Sequence, residues 1–385
     1  MHLLALVLLA ALSPLEQKGI ELVYNLEFQL AFAVFEQLSH ESPSSPAGPY
    51  YLASTLWMEE LTRRGGMAGE TFQSSRYWTR TRQDSLSPER LARFESYTTD
   101  AIERSKAVLK SHANDVEALY FLGATEGVKS AFEATIKRRY FAAYRAGRRA
   151  RKWHNKLIAL DPSFADAYLV PGIYEYATAS LHRSLKFLAF LIGVRGSKDK
   201  GRQYISKAAD GDRAYWGARL SLVILDTREK RYSRALSYLR ELESSFPRNP
   251  LFTFEKGWVF LLKKDWPAAR SVYHEVQQKR NLGKPHFERI PLSVLSLRLG
   301  ESFLFDARFE EALFHFHSGL DRPDLSDAVR SMLHLRRGQS YDGLDRREEA
   351  RAEYETTIDL NADKASHGLA KRYLKKPFRL NPDVS

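Results

Sequence analysis

The stretch GQSYDGLDRREEARAEY (residues 338–354) decides how this chain folds. It places Gly338 twelve residues before Ala350, and Tyr354 four residues after that. The same register recurs upstream with Gly300, Ala312 and Phe316, and again with Gly257, Ala269 and Tyr273. A further aromatic follows each glycine by three residues: Phe260, Phe303 and Tyr341. Short polar turns lie between, at Lys263-Lys264-Asp265, Asp306-Ala307-Arg308 and Gly343-Leu344-Asp345. A small residue lets the two helices of a hairpin approach closely, and the aromatics fill the volume between that hairpin and the next. Pro267 follows the first turn, at an early helix position where a missing N–H costs nothing. The spacing predicts stacked helical hairpins.

Outward from this stretch, Ala235 continues the series, with Leu239, Leu242 and Pro247 behind it. Near the N-terminus, Gly19, Phe28, Ala31, Phe35, Leu38 and Pro43 hold the same offsets. In the middle, Ala101 with Val108, and Ala150 with Leu157 and Pro162, read as second helices separated from their first helices by insertions. Asp161-Pro162 and Phe246-Pro247 end helices, because proline disfavours the helical conformation of the residue before it. These anchors resemble the tetratricopeptide repeat, a helix–turn–helix unit of about 34 residues. Segments such as LRRGQSY (335–341) and EEARAEY (348–354) match it closely. The resemblance implies an all-α, right-handed α-solenoid of about eight such units, ended by a capping helix at residues 365–375. The expected divisions are 1–13, a signal segment; 14–113, N-terminal units with a Gly/Ser-rich insertion at 63–87; 114–210, degenerate units with a basic helix and an apolar insertion; 211–364, regular units; and 365–385, cap and tail.

Two insertions interrupt the series. Residues 63–87 are rich in Gly and Ser without periodicity and read as a long loop. Residues 181–196, LHRSLKFLAFLIGVRG, carry an apolar run too short to span a bilayer, so a buried helix or a membrane-surface patch is expected. Together with PGIYEY (171–176) and GSKDKG (196–201), this region, within residues 165–209, is similar to the tetratricopeptide repeat protein 39 family. That similarity implies architecture rather than chemistry.

Composition narrows the function. Among 385 residues there is no cysteine, which excludes a disulfide framework, zinc–thiolate and iron–sulfur centres and a cysteine nucleophile. The formal charge of +12 favours acidic partners without choosing among nucleic acid, anionic lipid and protein. Residues 3–12, LLALVLLAAL, fit the apolar core of a secretory signal, with Ala11-Leu12-Ser13 as the cleavage motif. The expectation is therefore a periplasmic or secreted bacterial protein, the alternatives being an apolar first helix and a cytoplasmic molecule. A mature N-terminus before or after residue 13 separates them.

No metalloprotease, dinucleotide, P-loop or nucleophile-elbow motif occurs, so neither enzyme activity, cofactor nor metal is expected. His315 and His317 lie two apart on a helix and face different directions. Glu59-Glu60 and Glu310-Glu311 read as solvated helix faces, and His154 stands where the repeats place a large packing residue.

Two surfaces remain as candidates. In the resembled family, five positions of each first helix face the inner groove. Carried over, they are Leu251, Phe254, Trp258, Leu261 and Leu262; Val294, Leu297, Glu301, Leu304 and Phe305; and Met332, Leu335, Gln339, Asp342 and Gly343. Members that clamp a peptide's C-terminal carboxylate carry Lys or Arg and then Asn at two of these positions. Phe254/Trp258, Leu297/Glu301 and Leu335/Gln339 stand there instead, which argues against such a clamp. An apolar groove follows, with Leu251, Phe254, Trp258, Leu261, Leu297, Phe305 and Leu335 receiving an amphipathic helix or apolar peptide. Alternatively, the segment around Tyr373, Phe378 and Leu380 closes it.

The second surface is KRRYFAAYRAGRRARK (137–152), with eight basic residues and no acidic one. Arg138, Arg139, Arg145, Arg148, Arg149 and Lys152 supply the patch, interleaved with Tyr140, Phe141 and Tyr144. Three readings stand: a solvated face with its aromatics turned inward, contact with anionic lipid or an acidic protein, and nucleic-acid binding. The function expected overall is a scaffold for a protein or peptide partner. The competitors are a nucleic-acid-associated cytoplasmic regulator and a membrane-peripheral subunit.

Overall fold

The computed structural model describes residues 12–64, 86–180 and 195–380. Nearly all of the expected signal segment and of both insertions lies outside the described residues. Among the described residues there are 17 α-helices and no strand. They fall into two compact units, each taken by itself below: residues 12–64 and 86–225 in unit 1, and 226–380 in unit 2.

In unit 1, α1 (Pro14–Tyr24) packs on α2 (Phe28–Glu41), α3 (Ala47–Arg63) on α4 (Pro88–Ser111), α5 (Val116–Thr135) on α6 (Tyr140–Leu160), and α7 (Leu169–Ala179) on α8 (Lys198–Ala208). Helix α9 (Tyr215–Arg228) runs through the boundary at residues 225 and 226. Unit 2 opens with α10 (Tyr232–Ser245). It then pairs α11 (Pro250–Lys263) with α12 (Trp266–Asn281), α13 (Leu292–Leu304) with α14 (Phe309–Leu320), and α15 (Asp327–Gly343) with α16 (Arg347–Leu360). Helix α17 (Lys364–Lys375) caps it, packed on α16.

The glycine–alanine–aromatic register is a packing code. Ala31, Ala101, Ala150, Ala235, Ala269, Ala312 and Ala350 are all completely buried. A Cβ placed on Gly257, Gly300 or Gly338 would come within 2.6, 2.2 or 2.5 Å of the ring of Tyr273, Phe316 or Tyr354. Gly19 stands to Phe35 in the same way, at 2.2 Å. Each ring therefore lies directly on the backbone of the partner helix. The turns repeat as faithfully. Leu26, Lys230, Lys264, Ala307 and Asp345 all have φ between 58° and 66°, each five residues before its alanine. The next N–H in every case bonds to the carbonyl five residues back, as in Glu27 to Leu22, Asp265 to Phe260 and Arg346 to Tyr341. This is the Schellman closure that satisfies the open end of a helix.

One expectation about the middle of the chain is corrected. Ala150 sits on a second helix, but no insertion parts it from its first: only residues 136–139 link α5 to α6. The extra length is helical, since α5 and α6 run to 20 and 21 residues. Lengthening moves the partner glycine to Gly123, whose Cβ would lie 1.9 Å from the ring of His154. His154 is thus the ring of this hairpin, 1% exposed, with Nδ1 bonded to the Ala167 carbonyl at 2.8 Å.

Burial pushes the His154 imidazole down to about 4. A depressed base makes the unfolded chain bind the proton first, so its stabilising contribution is complete above the ordinary pKa of about 6.5 and declines below it. By pH 4 the loss is roughly 3 kcal/mol. Replacing His154 with Phe removes the proton. Urea titrations between pH 7 and 4 should show the variant gaining on the parent as acidity rises, and a constant gap would contradict this account.

The paired carboxylates need a further correction. Glu60 is completely buried and is tied to Arg63, Arg64 and Arg90, whose charges outweigh burial and hold its carboxyl below the usual range. It is a strut between α3 and α4 rather than part of a solvated face.

Candidate binding surfaces

The carried-over positions of unit 2 do converge, but on a filled interior. Phe254, Leu261, Leu297 and Leu335 are 5, 6, 1 and 2% exposed, and Leu251, Trp258 and Phe305 are half-buried. The side chains named for the groove are thus mostly covered within unit 2. The reason is a polar–aromatic ribbon across the first helices. Arg298 lies over the Trp258 ring at 4.8 Å and Arg336 over Phe305 at 5.2 Å. Both guanidiniums grip Glu301, Arg336 at 2.8 Å, and Arg336 also donates to Gln339 at 2.8 Å. Burial alone would raise the Glu301 carboxyl, yet the two guanidiniums outweigh it and hold it below its usual range.

The chain's own tail completes the filling. Phe378 is 8% exposed and packs with Leu297, Phe303, Leu304 and Met332, while Tyr373 and Leu380 lie against the same cluster. Its backbone N–H donates to Asp342 Oδ2 at 2.7 Å. The same carboxylate receives the Tyr354 hydroxyl and Arg347, each at 2.8 Å. Arg347 also donates to the carbonyls of Tyr373 and Leu374, both at 2.8 Å. Asp342 occupies one of the groove positions named by register. It acts here as the receiver of an extended backbone.

In unit 1 the first helices meet around an arginine that sequence reasoning did not reach. The Arg213 side chain, 6% exposed, bonds Glu16 of α1 at 3.2 Å and Glu117 of α5 at 3.3 Å. Tyr51 of α3 donates to Glu16 at 3.1 Å, and Phe121 lies under the guanidinium at 5.5 Å. Glu16 also completes the capping box with Ser13. Nothing in the spacing of residues 16 and 213 could have announced the pair, because they are brought together only by the winding of the hairpins.

The basic stretch divides into three parts. Arg138 has φ 55°, so it sits in the link before α6 rather than on the helix with Arg145. Arg149 forms a two-pronged bond with Glu126 at 2.7 and 2.8 Å, and Arg139 lies 3.5 Å from Glu133. Arg145, Arg148 and Lys152 lie over the rings of Phe141, Tyr144 and Trp153 at 5.1, 5.9 and 5.4 Å. The expected inward turn of the aromatics fails for two of them: Tyr140 is 42% and Phe141 70% exposed.

Helical hairpins closed by identical turns define a helical-repeat architecture. Residues 228–281, which include α10 to α12, match the tetratricopeptide repeat family, and the glycine–alanine–aromatic register recurs beyond them at 300–316 and 338–354. No curated protein matches the chain, so none supports a likeness of residues 165–209 to the tetratricopeptide repeat protein 39 family. Among solved structures, yeast Tom70 is 12% identical, with 94% of this chain and 87% of that one covered and a TM-score of 0.39. The human IFIT1 dimer is 14% identical, with 94% and 84% covered and a TM-score of 0.45. A tetratricopeptide repeat protein from Parabacteroides merdae is 13% identical, with 84% and 97% covered and a TM-score of 0.31. None of these lends the chain a partner.

Proposed function

We propose that this chain is a non-catalytic scaffold whose unit 2 receives an extended, aromatic-bearing segment of a protein partner, at the seat that its own tail fills. One observation carries the reading: Phe378 is held as a peptide ligand would be, by a backbone bond to Asp342 and a ring buried among Leu297, Phe303 and Met332. Main-chain hydrogen bonds supply general affinity and a ring pocket supplies selectivity. A tethered occupant has a high effective concentration, so a partner must displace it with better contacts or more of them.

The full chain carrying Phe378→Ala tests this, with a labelled peptide of sequence LKKPFRLNPDVS, residues 374–385, as the probe. Fluorescence anisotropy should show the peptide binding the variant at least about 10-fold more tightly than the parent, whose seat is occupied. The same peptide with alanine for its phenylalanine should not bind either form. Equal binding to both forms, or none to a variant of unchanged melting temperature, would overturn the proposal.

A further inference from the structure

The outward face of α6 belongs to unit 1 and plays no part in the peptide seat of unit 2. We propose that it docks on an anionic membrane surface. The helix contains no acidic residue, and its exposed stripe runs Phe141, Arg145, Arg148 and Arg149, Lys152. At a rise of about 1.5 Å per residue this stripe is about 16 Å long. Arg149 and Arg151 are engaged by Glu126 and Glu175, which anchors the helix to α5 and α7. Arg145, Arg148 and Lys152 are held by rings instead of carboxylates. A cation resting against a ring keeps N–H groups for an oxyanion, so these three are oriented without a carboxylate partner among the described residues.

The choice of occupant follows from the aromatics. A single-stranded nucleic acid would stack its bases on open ring faces, but Arg145 and Arg148 already lie over Phe141 and Tyr144. An acidic polypeptide would satisfy the charges and leave Phe141, 70% exposed, without an apolar partner. A lipid surface satisfies both: phosphates meet the arginines, and Phe141 with Tyr140 enters the boundary between headgroups and acyl chains. No helix among the described residues is long and apolar enough to cross a membrane, and the contact proposed here is peripheral.

Flotation of the full chain with two kinds of vesicle is the test: phosphatidylcholine alone, and phosphatidylcholine mixed in equal parts with phosphatidylglycerol. The parent should float only with the mixed vesicles. Arg145→Glu with Arg148→Glu should lower binding at least about 10-fold, and Phe141→Ser should lower it several-fold at unchanged charge. All three side chains are exposed, and circular dichroism should show both variants folded. Phe378→Ala should float like the parent, which separates this proposal from the peptide seat. Equal flotation with both vesicle types, no flotation, or flotation unchanged in either α6 variant would overturn it. So would a parent that binds a single-stranded oligonucleotide or polyglutamate in preference to the vesicles.

Discussion

Gly300→Ala is expected to destabilise unit 2 by about 2–3 kcal/mol, whereas the same change at Gly368 should stabilise it by about 0.5–1 kcal/mol. Both glycines lie inside helices, α13 and α17, where alanine is intrinsically the better residue. The sign is decided by what the added methyl meets. At Gly368 nothing lies within 4 Å. At Gly300 the methyl would come within 2.2, 2.5 and 2.8 Å of three atoms of the Phe316 ring, which is completely buried and has no free volume to retreat into. Urea unfolding of the two variants measures the difference. Adding Phe316→Leu to Gly300→Ala should recover part of the loss, giving a coupling above about 1 kcal/mol, as expected for residues in direct contact. Additive losses would show that the glycine is not there for the ring.

Glu301→Ala carries the second large effect, about 3–5 kcal/mol, because it leaves two guanidiniums in an interior that has lost its carboxylate. Arg298 is 3% exposed and Arg336 half-buried, so water cannot simply take the place of Glu301. The pair's own worth is smaller than this figure, since charges lose hydration when buried. Glu301→Leu combined with Arg298→Leu should therefore be far less harmful than Glu301→Ala alone, although Arg336 keeps a residual cost. Acid should reproduce the loss. The Glu301 carboxyl is depressed on folding, so its contribution is complete above its unfolded pKa and disappears as pH falls through the folded value. Denaturation midpoints of the three proteins at neutral pH, and of the parent across the acid range, check both statements. A double variant as unstable as Glu301→Ala would contradict the ribbon's assigned role.

What the sequence disclosed, and what it withheld, divides along the reach of the interactions. Gly257, Ala269 and Tyr273 were legible because their packing repeats at fixed intervals along one hairpin. His154 was half legible: its place in the packing could be read, but its partner Gly123 could not, because two lengthened helices moved the glycine out of register. Arg213 and Glu16 were silent, since no periodicity relates residues 197 positions apart. The positions Leu297, Leu335 and Asp342 could be placed on the first helices, but the sequence left open whether they are bare or covered by the tail. Whether such a face is bare depends on Arg298, Arg336 and the tail, whose reach is a tertiary matter. Phe141 shows the same limit in reverse, because an aromatic on a basic helix reads as core until its neighbours fail to cover it.

Hydrogen exchange at the Phe378 amide is the most direct test of the account. This residue lies in extended backbone beyond the last helix, so no helical bond protects it. Among the described residues its N–H is held by Asp342, beneath a ring that is almost wholly buried. The account predicts slow exchange in the parent, approaching that of the α16 amides, and fast exchange in Asp342→Ala. An amide that exchanges in the parent at the rate of an unstructured chain would mean that the seat is empty and that unit 2 holds no segment there.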